Sequence, residues 1–314
     1  MKYIDVTLRD GGHCLDFDWP VDAAASYLRT ALNSDFFNFV EIGYWNQHGK
    51  FSGPFYRVGP ELLAQLPEDS RKRLAIMSDF HYLETSVADF PAVNETSVGL
   101  LRLTSRKEDV PEARAFLEEI RTAKKLLTSL NIFNVSNYSR QDLEEVGGLV
   151  SANPPDFVYF ADTHGSINLV DEGALFEPLV HQLNALGTQV GFHLHDHSGL
   201  AMSNFFCLEG LGFSYCDVSL QGLGKGAGNL KLEAVLSRPE VTSFLDFAVQ
   251  HRSLFELPSN PLFALTGRYS TTDHYADQAA REGLSATEFE AFLRTLSPIS
   301  RDNFDGKLMS SREN

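Results

Sequence analysis

Two histidines lie one residue apart in the segment His193-Leu194-His195, at the end of an apolar run. Because side chains alternate along a β-strand, both imidazoles would point to the same face. Asp10 follows another apolar run, and one carboxylate beside two imidazoles leaves coordination positions open for a substrate. An isolated His-x-His pair is common and usually binds no metal. Together with Asp10, the pair favours a divalent metal centre formed by Asp10, His193 and His195.

Such a centre needs elements that bring distant residues together, and the chain alternates apolar runs with helical patterns. The runs are Tyr3–Leu8, Phe37–Gly43, Leu74–Ser78, Val98–Thr104, Ile132–Ser136, Phe157–Ala161, Gln189–His195 and Cys216–Leu220. They start roughly 25 to 35 residues apart, the length of one strand plus one return helix. The pattern predicts an α/β fold, a (β/α)₈ TIM barrel over residues 1–236.

The helical patterns have apolar residues at three- and four-residue steps. One of them contains Ala113, Phe116, Leu117, Ile120, Ala123 and Leu127. After Leu236 the strand rhythm stops, and the remaining segment looks helical with breaks at Pro258, Pro261 and Gly267. Residues 237–314 are therefore predicted to form a C-terminal helical extension of the catalytic barrel.

Active sites of this fold lie at the carboxyl ends of the strands, where several polar residues occur. They are Arg9 and Asp10 after the first run, Glu41 in the second, Thr163 after the sixth, and Asn229 at the end of the glycine-rich segment Gly222–Asn229. Glu41 either orients a neighbouring group or forms a polar cover over the core. Arg9 and Asp10 could equally form an ordinary surface ion pair.

Two further features keep simpler or different interpretations open. The Gly222–Asn229 segment is suited to binding phosphate through backbone amides, so a phosphorylated substrate stays possible in principle. The lone histidines are expected to be solvated or hydrogen-bonded rather than catalytic; they are His48, His81, His164, His197 and His274.

Composition excludes several classes of protein. The 314 residues carry a formal net charge of −16 and no useful Lys/Arg cluster, which argues against binding to a nucleic-acid backbone. Residues 1–20 contain no apolar run of signal-peptide length, and no run is long enough to span a bilayer. The three cysteines lack Cys-x-x-Cys spacing, so neither a disulfide framework nor a thiolate zinc site is indicated. We expect a cytoplasmic protein.

Three motifs, in chain order, resemble the DRE-TIM metallolyase superfamily. They are Asp5-Val6-Thr7-Leu8-Arg9-Asp10-Gly11, His193-Leu194-His195-Asp196 with the later Gly199-Leu200-Ala201 and Asn204, and Gly222-Leu223-Gly224 with Gly226-Ala227-Gly228-Asn229. The superfamily includes isopropylmalate and homocitrate synthases, 3-hydroxy-3-methylglutaryl-CoA lyase, pyruvate carboxylase transferase domains and 4-hydroxy-2-oxovalerate aldolase. His13, three places after Asp10, is similar to the base of the 4-hydroxy-2-oxoacid aldolase branch.

The resemblance implies a class II aldolase that uses Mn²⁺ or Mg²⁺, held by Asp10, His193 and His195. Pyruvate and an aldehyde would be joined, or a 4-hydroxy-2-oxo acid cleaved, through a pyruvate enolate. Arg9 would share the stabilisation of the enolate charge, and His13 would take the proton of the C4 hydroxyl. Thr163 would bind the substrate carboxylate, and Asn229 would touch the metal or its water.

The sequence also departs from the aldolase pattern. A tyrosine that shapes the family's active site is replaced, with Leu265 at the corresponding position and Tyr269 or Tyr275 as substitutes. Tyr44 and Trp45 place two aromatic rings where the aldehyde end would lie, which alters the expected aldehyde preference. The C-terminus is short for a channel to an acylating aldehyde dehydrogenase, so that partner is only weakly indicated.

Two other functions are compatible with the same residues. A Claisen-type acyltransferase that condenses acetyl-CoA with a 2-oxo acid shares Arg9, Asp10 and the two histidines, but such synthases usually carry further C-terminal domains. A catalytically silent barrel is disfavoured because every core catalytic position holds a competent residue. A homodimer is expected by analogy, since cyclic dimers are the commonest assembly.

Overall fold

The computed structural model describes residues 1–46, 48–83, 86–236 and 241–310. Its strands pair in parallel in the order β1 to β8, and β8 closes on β1. Their bounds are β1 Lys2–Asp5, β2 Phe37–Tyr44, β3 Leu74–Asp79, β4 Val98–Ser105, β5 Leu127–Ile132, β6 Phe157–Asp162, β7 Gln189–Leu194 and β8 Tyr215–Val218. This closed barrel with flanking helices confirms the predicted (β/α)₈ fold.

Helices return the chain between strands and continue after the barrel. Those up to β8 are α1 Thr7–Gly11, α2 Val21–Asn33, α3 Pro60–Leu63, α4 Val110–Lys124, α5 Arg140–Ser151, α6 Leu169–Glu172, α7 Glu177–Ala185 and α8 Ala201–Leu208. Those after β8 are α9 Leu232–Val235, α10 Val241–Gln250, α11 Phe263–Tyr269, α12 His274–Glu282, α13 Ala286–Leu293, α14 Pro298–Asp302 and α15 Lys307–Ser310.

The barrel interior changes from apolar to polar along the strands. At the amino-terminal end an apolar cluster fills it; the cluster consists of Ile4, Val6, Phe39, Ala75, Leu100, Phe157, Tyr159 and Tyr215. Gly191 belongs to this region because a Cβ there would lie 2.2 Å from the Tyr159 ring. Two residues further along β2, β4, β7 and β8, on the same face of each strand, the inward side chains are polar: Glu41, Arg102, His193 and Asp217. The site is therefore built on a packed apolar floor.

The first strand is shorter than the predicted Tyr3–Leu8. β1 ends at Asp5, whose Oδ1 accepts hydrogen bonds from the Thr7 backbone N–H at 2.8 Å and from its hydroxyl at 2.6 Å. Such a local side-chain bond offers the backbone an alternative to the sheet ladder. Helix α1 starts at Thr7, so Arg9 and Asp10 lie on a single helical turn above the strand.

The fifth strand is also displaced from its predicted position at Ile132–Ser136. Lys125 adopts φ 60°, ψ 22° and ends α4, so Leu127 starts β5 instead of continuing the helix. Ser129 and Asn131 alternate along β5 and are buried. The sequence pattern counted Leu127 in the preceding helix, whereas in the structure Ser129 and Asn131 are buried on the strand that Leu127 begins.

The helices after the barrel pack in two groups. Phe244 and Phe247 of α10 join the main hydrophobic core, whereas helices α11 to α13 share a second core that includes Phe263, Tyr275 and Phe289. The division at residue 236 stays a prediction, and residues 237–240 and 311–314 lie outside the described part of the chain. Among the described residues, no helix is both long and apolar enough to cross a membrane.

Candidate active site

A cavity of about 330 Å³ lies at the carboxyl ends of the strands. The sequence-predicted residues Arg9, Asp10, His13, Thr163, His193 and His195 all line it. They come from the end of β7 and from the segments after β1, β6 and β7, so the closed barrel brings together residues up to 186 positions apart in the chain (195 minus 9). Glu41 and Asn229 lie directly behind this lining and contact it through Arg9 and Asp10.

The three predicted metal ligands converge at one point of the cavity. The Nε2 atom of His193 lies 3.2 Å from Nε2 of His195 and 4.0 Å from Oδ2 of Asp10. One ligand atom from each residue lies within 4.8 Å of the others. Two nitrogens bound about 2.1 Å from a common ion, roughly at right angles, would lie about 3 Å apart. The donor set and its spacing therefore fit a divalent cation.

Neighbouring side chains form hydrogen bonds that orient two of these predicted ligands. The Asp217 carboxylate lies 2.9 Å from Nδ1 of His193, so that Nδ1–H donates to it and Nε2 keeps its lone pair for a cation. Asn229 donates to Oδ2 of Asp10 at 2.6 Å. Burial opposes ionisation of Asp10, but the Arg9 guanidinium and the imidazoles of His195 and His193 outweigh it and hold the pKa well below its ordinary value.

A buried ionic network joins the two sides of the cation site. Arg9 donates to Asp10 at 2.5 Å and to Glu41 at 2.7 Å. Arg102, which has no exposed surface, donates to Glu41 at 3.1 Å and to Asp217 at 2.7 Å. Because Asp217 holds His193, a continuous chain of hydrogen bonds runs from one predicted ligand to another. Glu41 thus has the orienting position, rather than that of a polar cover.

The sequence interpretation missed Arg102 and Asp217. Each is the single charged residue of a mainly apolar strand, in the segments Val98–Ser105 and Tyr215–Val218. A charge in a strand that is covered by helices outside must point into the barrel, because an outward position would bury it against apolar helices. This signal was available in the sequence.

His13 lies at the edge of the cavity among aromatic rings. The centroid of its ring is 4.9 Å from that of Phe17, 5.8 Å from Phe51 and 6.3 Å from Tyr44. Burial among these rings lowers the pKa of His13 to about 3. The imidazole is therefore neutral at physiological pH.

Two residues of the C-terminal helices lie differently from the predicted set of site residues. Tyr269 lies in the C-terminal helices, where its hydroxyl donates to Glu290 at 2.6 Å and accepts from Arg294, and it does not line the cavity. His274, which the sequence analysis did not place in the site, is half-buried and lines the cavity, and this agrees with the expectation that it is solvated or hydrogen-bonded rather than catalytic. Neither could be recognised from spacing, because the packing of α11 and α12 on the barrel decides which side chains reach the site.

His197 also differs from its expected state. It is 5% exposed, and neither ring nitrogen has a hydrogen-bond partner among the residues that the structure describes. The lone histidine His164, in contrast, is hydrogen-bonded as expected, to Asp302 at 3.0 Å. The glycine-rich segment 222–229 packs against His197 and uses amides for its own turns, since Gly228 donates to the Lys225 carbonyl and Asn229 to that of Gly222. These amides are not available to bind a phosphate.

The tight packing of this segment yields a first prediction. Gly226 has φ +62°, and a Cβ there would lie 2.3 Å from Nε2 of His197. We expect Gly226→Ala to lower the free energy of unfolding by about 1–3 kcal/mol, measured by urea denaturation. Gly148→Ala is the matched control: Gly148 lies in α5 with no atom within 4 Å of the added methyl group, and the change should stabilise by about 0.5–1 kcal/mol. Equal midpoints for the two variants would contradict the packing described.

Comparisons with known proteins show the family to which the chain belongs. The HMGL-like family model matches residues 85–258, more than half of the chain. A 4-hydroxy-2-oxovalerate aldolase of Burkholderia pseudomallei (strain 668) is 25% identical, over 92% of this chain and 87% of its own. The enzyme of the same name from Roseiflexus sp. (strain RS-1) is 29% identical, over 78% and 72%.

A solved structure shares the fold at lower identity. The carboxyl transferase domain of Rhizobium etli pyruvate carboxylase, solved with pyruvate, superposes with a TM-score of 0.63 at 15% sequence identity, covering 96% of this chain and 58% of that chain. The barrel, the motifs on its strand ends and the family model agree with the resemblance to the DRE-TIM superfamily. The chain belongs to the HMGL-like family.

Proposed function

We propose that the protein is a divalent-metal-dependent aldolase that cleaves or forms 4-hydroxy-2-oxo acids from pyruvate and an aldehyde. The observation that supports this most directly is the convergence of Asp10, His193 and His195 in the cavity that His13 also lines. Reversible cleavage of the C3–C4 bond requires a base that takes the proton of the C4 hydroxyl and a cation that stabilises the enolate.

Asp10, His193 and His195 would hold the cation. Mn²⁺ or Mg²⁺ bound there supplies Lewis acidity toward the negative charge that develops on the 2-oxo oxygen. Asn229 fits a supporting role because its Oδ1 is buried and has no hydrogen-bond partner among the described residues. This oxygen would accept from a water at the site while Nδ2 holds Asp10.

The remaining steps belong to side chains of the cavity wall. The hydroxyl oxygen of Thr163 accepts a hydrogen bond from the Asn134 backbone N–H at 2.9 Å. The same hydroxyl donates only a long hydrogen bond, 3.4 Å, to the Ala161 carbonyl. Its hydrogen is therefore available to the substrate carboxylate. The Arg9 guanidinium, fixed by Glu41 and Asp10, places positive charge beside the developing enolate. His13 takes the proton from the C4 hydroxyl as the C3–C4 bond breaks.

The requirement for a cation gives a second prediction. Pyruvate release from 4-hydroxy-2-oxopentanoate, followed by coupled reduction, should need Mn²⁺ or Mg²⁺ and stop with EDTA. Asp10→Asn should weaken Mn²⁺ binding, measured by calorimetry, at least about tenfold, since an amide cannot supply the negative charge of a carboxylate ligand. Asp142→Asn is the control. Asp142 lies on α5, pairs with Lys107 and does not belong to the predicted ligand set, so this variant should bind Mn²⁺ as the wild type does.

The outcome also separates the aldolase from its alternative. Metal-dependent pyruvate release supports the proposal. Absence of release from any 4-hydroxy-2-oxo acid, together with thiol release from acetyl-CoA and a 2-oxo acid, would assign the protein to the acyltransferases instead. A homodimeric assembly, an aldehyde dehydrogenase partner and a cytoplasmic location stay predictions of the sequence.

A further inference from the structure

A second cavity adjoins the catalytic one on its outer side. It encloses about 650 Å³, compared with about 330 Å³ for the inner cavity. Both are lined by His13, Lys50, Phe51, Lys225 and His274, which form the boundary between them. We call this second cavity the outer chamber. A substrate whose reacting carbon lies beside His13 would extend its far end into this chamber.

The wall of the outer chamber carries charges of both signs in equal number. The cations are Lys50, Lys225 and Arg281, and the carboxylates are Asp16, Asp273 and Asp277. Lys225 lies 2.8 Å from Asp273, whereas Lys50 has no ion-pair partner among the described residues. A wall of zero formal charge selects neither an anion nor a cation, but it offers many hydrogen-bond donors and acceptors.

Aromatic rings lie between these charged groups. Phe51, Phe263 and Phe304 line the same chamber. The face of an aromatic ring carries partial negative charge, so that it favours contact with weakly positive C–H groups. A carbon chain with a hydroxyl on each carbon presents both C–H and O–H groups. An alkyl chain would instead displace water from the charged groups without replacing its hydrogen bonds.

The acidic residues of the chamber do not form a second metal centre. Asp273, His274 and Asp277 each place one ligand atom within 4.8 Å of the others. However, the Lys225 ammonium already pairs with Asp273 at 2.8 Å. Burial and the neighbouring Asp273 raise the pKa of Asp277, which disfavours the ionised form that a metal ligand needs.

We infer that the outer chamber binds the hydroxylated chain of a polyhydroxy aldehyde, so that the substrate is a 3-deoxy-2-oxo sugar acid. The inference rests on the proposed aldolase function and names its acceptor. In cleavage the C3–C4 bond breaks, and its electron pair stays with C3 as the pyruvate enolate. The O4 proton passes to His13, C4 becomes the carbonyl of the released aldehyde, and the enolate takes up a proton to give pyruvate. No oxidant or reductant is required.

Three aldehydes with four carbons test this chemistry in the condensation direction. Mn²⁺-loaded protein is supplied with pyruvate and with D- or L-erythrose, butanal or succinic semialdehyde, and pyruvate consumption is followed. We expect kcat/KM for one erythrose enantiomer to exceed that for butanal by about 10- to 100-fold, because a site built to hydrogen-bond hydroxyl groups discriminates against an analogue that lacks them. Succinic semialdehyde should not exceed erythrose.

Variants of the chamber wall test which side chains cause the preference for erythrose over butanal. Lys50→Met and Arg281→Met should each lower the erythrose-to-butanal ratio of kcat/KM, by about tenfold for a lost hydrogen bond from a charged donor. Both side chains are exposed, so the fold should tolerate the changes. Arg294→Met is the matched control: Arg294 is an exposed arginine directly after α13, paired with Glu290, and it is not among the residues that line the chamber. Its ratio should equal that of the wild type.

A separate measurement distinguishes failure of the inference from failure of the aldolase proposal. Exchange of the pyruvate methyl protons in D₂O, followed by NMR without any aldehyde, reports enolate formation alone. Exchange with equal kcat/KM for erythrose and butanal would overturn the inference and leave the aldolase intact. Preference for succinic semialdehyde would replace the polyhydroxy aldehyde by an anionic one. Absence of exchange, with no condensation of any aldehyde, would overturn both.

Discussion

Substitution of His13 by alanine is expected to lower kcat for cleavage of a 4-hydroxy-2-oxo acid by about 10²- to 10⁴-fold, the usual contribution of a positioned general base. Burial lowers the pKa of His13 to about 3, so the imidazole is unprotonated when substrate binds at neutral pH. The other imidazoles of the inner cavity are the two predicted ligands and His274, which lies at its outer boundary. None of these replaces a base beside the C4 hydroxyl.

Two further measurements decide whether the loss is chemical. Calorimetry should show that His13→Ala binds Mn²⁺ with an affinity close to that of the wild type, because His13 does not belong to the predicted ligand set. His181→Ala removes an exposed histidine of α7 that lies near Glu177, and should keep the wild-type kcat. If His13→Ala retained kcat within a few-fold, another group would be the base and the mechanism would need revision.

The fold was predictable because the barrel depends on local and repetitive signals. Apolar runs of strand length, separated by amphipathic helices, predicted eight strands, and all but β5 begin within one residue of their predicted starts. The shifts at β1 and β5 come from local backbone features that apolar periodicity does not show. Asp5 bonds to Thr7 at the end of β1, and Lys125 takes a left-handed conformation that ends α4 before Leu127.

The site was predictable to the extent that its residues follow strand ends. Motif spacing placed Asp10, His13 and His195 in one cavity, because parallel strands of a barrel present their carboxyl ends at one face. Residues supplied by the C-terminal helices follow no such rule. Tyr269 was placed in the site and His274 left out of it, and the structure reverses both positions. Only the docking of α11 and α12 on the barrel settles which side chains reach the cavity.

The second large effect is expected at Arg102, which the sequence interpretation missed. This guanidinium is fully buried, pairs with Glu41 and Asp217, and lies 4.4 Å from the centroid of the Tyr159 ring. Arg102→Met keeps most of the side-chain volume but leaves two buried carboxylates short of a cation. We expect a loss of about 3–5 kcal/mol in the free energy of unfolding, the usual cost of breaking a buried ion pair, measured by urea denaturation at pH 7.

The pH dependence of this loss provides a sharper test. Burial opposes ionisation of Asp217, but Arg102 and His193 outweigh it and lower the pKa. In the wild type this group adds stability above the carboxyl pKa of the unfolded chain, and the stability is lost as pH falls. Without Arg102 the pKa of Asp217 in the folded state should rise above that of the unfolded chain. The variant should then lose stability as pH increases, because ionisation of Asp217 is favoured in the unfolded state. The gap between variant and wild type should therefore widen from pH 5 to pH 8.

Controls separate the buried network from loss of an arginine as such. Arg121→Met removes a partly exposed pair with Glu118 on α4 and should cost less than about 1 kcal/mol. Adding Asp217→Asn to Arg102→Met removes an unpaired buried charge and should recover part of the stability.

The same double variant should still bind Mn²⁺ about 10- to 100-fold more weakly than the wild type, since His193 loses the carboxylate that orients it. Recovery of stability without recovery of Mn²⁺ affinity would show that the network serves two purposes: Arg102 balances charge within the barrel, and Asp217 aims a ligand at the cation site. Parallel recovery of both would mean that His193 is oriented by packing alone.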